Sequence, residues 1–124
     1  MVKQTVRLSV PAEASFARTV RMMAANLAVV SNMNVDEVED VRMVAEEGFV
    51  YCCATKPETC EVSFDLADGE IRATFALGSS DIDDEDGTLG LAELLLSAVC
   101  DEHVVSDDGM FLHLVKRSGV AHGE

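Results

Sequence analysis

At 124 residues, 48% of them hydrophobic, the chain has the length of one domain and enough apolar residues for a single continuous core. Nine Lys and Arg against 23 Asp and Glu give a formal net charge of -14, a field that repels nucleic acid and anionic lipid and favours a basic partner. No apolar run approaches the roughly 20 residues of a membrane span, and Met1 to Gln4 does not open a secretory signal, so the expectation is a cytoplasmic protein with no membrane or direct nucleic-acid partner.

Thr5 to Val10 alternates, with Val6, Leu8 and Val10 on one face, and predicts a half-buried strand ended by Pro11. Phe16, Val20, Met23, Leu27 and Val30 recur at steps of three and four, so Ala12 to Val30 is expected to form an amphipathic helix that stops at Asn32 and Asn34. Asn34 is a good N-cap, Asp36 and Glu37 suit the first turn, and Val38, Val41, Ala45, Gly48 and Cys52 continue the helical spacing. A second helix is therefore predicted from Val35 to Ala54, closed by Lys56-Pro57 because the residue before proline is pushed out of helical geometry.

Glu61 to Leu66 and Glu70 to Leu77 alternate like strands around Asp68-Gly69, a hairpin signal. The nearly all-acidic run Asp81 to Asp86 reads as a solvated loop, and Leu89 to Val99 as a largely buried third helix. Glu102 to Ser106, the turn Asp107-Asp108-Gly109 and Met110 to Lys116 predict a second hairpin, and Ser118 to Glu124 a frayed tail. The order β-α-α-β-β-α-β-β predicts an α+β two-layer sandwich, with a mostly antiparallel sheet and three helices on one face, in a single domain over residues 1–117.

Cys52, Cys53, Cys60 and Cys100 contain no C-x-x-C pair, and His103, His113 and His122 add no cluster, so no metal site is expected. Cys52 and Cys53 fall in the apolar helical pattern, where free cysteine behaves as a small buried hydrophobe.

Asp36-Glu37-Val38-Glu39-Asp40-Val41-Arg42 followed by Ala45-Glu46-Glu47-Gly48 resembles the helix that opens the nucleotide box in the anti-sigma-factor serine/threonine kinases of the Bergerat (GHKL) ATPase superfamily. Ser15-Phe16-Ala17-Arg18 is similar to a first-helix segment of that family, and Gly87-Thr88-Leu89-Gly90-Leu91 resembles the glycine turn before its last helix. The resemblance spans about Thr5 to Val115 and implies a histidine-kinase-like ATPase fold, ATP and Mg as cofactors, and a sigma factor or an anti-anti-sigma antagonist as partner. It also implies a homodimer, with Arg18 contacting the partner and Arg21, one turn on, widening the same basic spot.

Site by site, the resemblance makes Glu47 the base that activates the attacking hydroxyl. The family's magnesium-binding asparagine is Tyr51 here, and a phenol is a poor ligand for a hard octahedral ion. Its Asp-x-Gly box reads Ala76-Leu77-Gly78, which lacks the acceptor for the adenine amino group, a loss of about 1 to 3 kcal/mol. Thr88 follows Gly87 where a second glycine would let backbone amides approach phosphate, with Gly90 two residues on, and five acids in 81–86 repel a triphosphate. The alternative role of Gly78, Gly87 and Gly90 is as turn formers.

The expected function is a nucleotide-defective regulator that works by protein–protein binding in transcription control. An active ATP- and Mg-dependent serine/threonine kinase is the alternative, and a thiol sensor through Cys52 or Cys53 is the third reading.

Overall fold

The computed structural model describes residues 4–78 and 87–119. In chain order these form β1 (Gln4–Pro11), a short 3-10 turn (Ala14–Phe16), α1 (Ala17–Val30), α2 (Val35–Ala54), β2 (Thr59–Ala67), β3 (Glu70–Ala76), α3 (Thr88–Val99), β4 (Glu102–Val105) and β5 (Phe111–Arg117). The acidic run 81–86, residues 1–3 and residues 120–124 lie outside the described residues.

The sheet has the order β1-β2-β3-β5-β4, antiparallel at each of its four pairings. Strict alternation turns Val62, Phe64, Leu66, Ile71, Ala73, Phe75, Leu112 and Leu114 to one face, where they join the buried side of the helices in one core. The architecture is thus an α+β two-layer sandwich. α2 is its central helix, in contact with α1, α3 and strands β2, β3 and β5. Turns sit where the backbone chemistry demands them, with Gly69 and Gly109 both at positive φ in the two hairpins.

α2 begins in a capping box. The Glu37 amide donates to the Asn34 side chain at 2.9 Å, and the Asn34 amide donates to Glu37 Oε1 at 2.9 Å. Midway, Gly48 lets the helix settle on the sheet, since a Cβ there would lie 2.5 Å from the Phe75 ring and 2.9 Å from Leu114. α2 ends as Lys56 takes a left-handed φ of 57° ahead of Pro57. Lys116 stitches the layers together from β5, its ammonium reaching Asp40 of α2 and the carbonyl of Val99 at the end of α3, each at 3.2 Å.

Three expectations need correction. The first helix starts at Ala17 rather than Ala12, because Ala12 donates to the Glu58 carbonyl and so prolongs the β1–β2 pairing before the 3-10 turn. α3 is not largely buried. It packs on α2 along one side and reaches the sheet at β4 and, through the Val99 carbonyl, at Lys116 of β5, with Leu91 57% and Leu94 65% exposed while Ala92 and Leu96 are buried. Ser118 and Gly119, expected to begin a frayed tail, are held by Glu37 Oε2, which accepts from the Ser118 hydroxyl and the Gly119 amide at 2.7 Å each.

On the open side of the sheet, Glu70 receives Arg72 and Arg117, and Arg117 also pairs with Glu102. No helix among the described residues is long and apolar enough to cross a membrane.

Candidate functional site

The second half of α2, the end of β3 and the start of α3 carry the residues singled out in the sequence. Glu47 and Tyr51 are one helical turn apart and so share a face of α2. Burial pushes the Glu47 carboxyl above the ordinary glutamate value, and the neighbouring Glu46 carboxylate adds to the rise. Tyr51 is only 4% exposed. Its phenol is pushed up by burial and then by Glu93, which brings the negative charge of α3 to bear on α2.

The end of β3 is clamped from both sides. Cys52 Sγ donates to the Ala76 carbonyl at 3.3 Å, and the Leu77 amide donates to the Met110 carbonyl at 2.8 Å. The Gly78 amide donates to Thr55 Oγ1 at 2.8 Å, while the Thr55 hydroxyl donates to the Cys52 carbonyl at 2.6 Å. Thr55 is fully buried and joins the C-terminus of α2 to the end of β3. Gly78 touches the loop after α2 so closely that a Cβ would lie 2.4 Å from the Thr55 carbonyl oxygen and 2.6 Å from the Pro57 nitrogen.

Gly87 caps α3 with a left-handed φ of 75°, and its carbonyl accepts from the Leu91 amide at 3.0 Å. A Cβ there would meet no atom of the described residues within 4 Å, so what favours glycine at this position is its backbone conformation. Thr88 opens α3, and Gly90 is exposed in its first turn.

The two arginines of α1 differ. Arg18 is exposed and makes no hydrogen bond or ion pair among the described residues. Arg21 is half-buried and donates to Glu46 at 3.2 Å, tying α1 to α2 beside Glu47. Its Nε is buried with no hydrogen-bond partner among the described residues. Also among those residues, no three or more His, Cys, Asp or Glu side chains gather as a metal site.

Sequence reasoning left the Thr55 clamp and the capping box unread. Thr55 as a clamp has no local signature. The capping box, by contrast, was visible as Asn34 followed three residues later by Glu37.

The raised Glu47 pKa sets a pH dependence. The folded chain holds this proton through a range in which the unfolded chain has released it, so stability falls as pH rises from about 4.3, the unfolded value, through the folded value. Glu47→Gln is therefore expected to raise the melting temperature at neutral pH and to leave it unchanged below about pH 4. Melts of both proteins across that range check this, and an equal gain at both ends would tie the effect to packing instead of charge.

Compared with family models and with curated proteins, the sequence matches none.

Proposed function

We propose that this chain is a nucleotide-defective regulator of the anti-sigma-factor type, on a Bergerat-like scaffold, that acts in the cytoplasm by binding a sigma factor or an anti-anti-sigma protein. The observation that carries the reading is the state of the second nucleotide box. The glycine kept at position 78 is accounted for by its contact with the loop after α2, and Ala76 offers its carbonyl to a cysteine within the core. Tyr51, where the family's metal ligand belongs, is buried. These residues serve packing, so their retention does not call for ATP or Mg.

Binding falls to the surface of α1. Arg18 is an exposed cation that pairs with no acid among the described residues, in a chain of net charge -14, and arginine recognises a carboxylate on a partner through a planar fork. Arg21 is committed to Glu46 and contributes mainly to holding α1 in position. β1, an edge strand of the sheet, offers the backbone edge along which a second copy can pair into a homodimer.

One observation favours the kinase alternative. The Glu47 pKa is raised, which moves the carboxylate toward the range useful to a general base. Calorimetric titration of the protein with ATP and magnesium separates the two. No binding heat is expected. Micromolar binding, together with phosphate transfer to a candidate antagonist that disappears in Glu47→Ala, would replace the regulator reading with the enzymatic one.

Arg18→Ala is expected to weaken capture of a cognate sigma factor by roughly 30-fold or more, the effect of losing an interface hot spot of about 2 kcal/mol, with no change in melting temperature. Unchanged affinity removes Arg18 from the interface.

A further inference from the structure

α3 carries two apolar stripes, and the fold uses one of them. Leu89, Ala92, Leu96 and Val99 pack into the core, with Ala92 and Leu96 fully buried. Leu91, Leu94, Leu95 and Ala98 fall at the i, i+3, i+4 and i+7 positions of the same helix and so share a second face. Leu91 is 57% and Leu94 65% exposed, Ala98 is exposed, Leu95 is half-buried, and none of the four belongs to the core. A contiguous apolar stripe marks an interaction surface in a way that scattered exposed residues do not.

The charge around the stripe says what kind of partner covers it. Between Arg72 and Lys116 the sequence has ten Asp and Glu and no Lys or Arg, and α3 lies within that segment. Glu93 is the one charged residue of the helix and is exposed. In sequence Asp86 directly precedes the N-cap Gly87, and Asp101 and Glu102 directly follow the C-cap Cys100. Lys116 of β5, whose ammonium reaches the Val99 carbonyl at the end of α3, is paired with Asp40. The open leucines therefore stand in a negative field.

A second copy of this chain suits that surface poorly. It brings the same charges to the contact, and two chains of net charge -14 repel. The stripe runs from Leu91 to Ala98, about 11 Å of helix, too short to supply the about 800 Å² per partner of a standard stable interface. A basic partner gains attraction as well as burial.

We infer that the Leu91–Ala98 face of α3 docks an amphipathic helix of a basic protein. The partner helix presents aliphatic side chains at the same steps of three and four, and its flanks carry Lys and Arg. The two helices pack side by side, apolar ridge into apolar groove. The basic side chains lay their hydrocarbon stems along the leucines and keep their charged heads in the negative field. Attraction at long range speeds the encounter, and burial of the leucines holds the pair. The contact lies on a different helix from Arg18, so it stands or falls independently of the surface assigned to α1.

The probe is a fluorescein-labelled synthetic peptide of three heptads, with leucine at the a and d positions and lysine elsewhere. A second peptide has glutamate in place of each lysine. Fluorescence anisotropy with the whole protein is expected to show binding of the lysine peptide alone, weakened about ten-fold between about 50 and about 500 mM NaCl. Leu91→Gln combined with Leu94→Gln is expected to weaken it by about ten-fold or more at an unchanged melting temperature, since both side chains are exposed. Val35→Gln, at another exposed apolar position and on α2, is expected to leave it unchanged. Failure of the lysine peptide to bind, equal binding of the glutamate peptide, or an affinity unaltered by the double substitution overturns the inference. So does an equal loss in Val35→Gln, or a dimer in sedimentation equilibrium that the double substitution dissociates, which would put a second copy on the stripe.

Discussion

Gly78→Ala is expected to destabilise the fold by about 3 kcal/mol, the upper part of the range for forcing a methyl into filled space. The atoms a Cβ would strike are the Thr55 carbonyl oxygen at 2.4 Å, the Pro57 nitrogen at 2.6 Å and the Lys56 carbonyl carbon at 2.9 Å. All three belong to backbone, so no rotamer change relieves the clash. Retreat of the strand end is opposed by the Leu77 amide bound to the Met110 carbonyl at 2.8 Å. Retreat of the loop separates the Gly78 amide from Thr55 Oγ1, a hydrogen bond whose buried partners cost about 1–3 kcal/mol if left unpaired.

Urea unfolding at unchanged m-value reads the loss directly. Gly87→Ala is the control. Its Cβ meets no atom of the described residues, and the left-handed φ of 75° resists it, at about 1–2 kcal/mol. Equal, small losses at the two glycines would show that Gly78 is not held by packing, and would remove the main support for a pocket whose glycine serves structure alone.

Much of the fold was legible because its signals are local. The bounds of α2 follow from a polar cap before it and a proline after it, and both hairpins from glycine turns that only one backbone conformation satisfies. The exposure of α3 was not legible. An element apolar on most sides reads as buried, yet burial depends on how many neighbours surround it, and α3 lies at the flank of the helical layer with Leu91 and Leu94 uncovered.

The candidate site was legible only as residue types. Sequence marks Tyr51 and Ala76 as departures from a nucleotide box. What those residues do instead, one buried beside α3 and the other receiving a core thiol, depends on contacts between segments far apart in the chain.

The same limit applies to Glu37, which reads from sequence as an acid suited to a helix N-terminus and is in fact a buried junction. It is 7% exposed. One oxygen accepts from the Asn34 amide at 2.9 Å, the other from the Ser118 hydroxyl and the Gly119 amide at 2.7 Å, so the start of α2 and the residues after β5 converge on a single carboxylate. Glu37→Ala is expected to cost about 3 kcal/mol, since hydrogen bonds to a charged group contribute about 1.5–3 kcal/mol and half a capping box is lost as well. Asn34→Ala removes the cap but leaves the junction, and is expected to cost about 1 kcal/mol.

Glu37→Gln keeps the shape and one acceptor oxygen, but turns an amide toward one set of donors, and should fall between the two. Truncation after Arg117 provides the decisive comparison. If the junction acts as described, Glu37→Ala and the truncation together should cost less than the sum of their separate effects, because both remove the same two hydrogen bonds. Strict additivity, or a Glu37→Ala loss no larger than that of Asn34→Ala, would mean that the residues after β5 contribute nothing through this carboxylate.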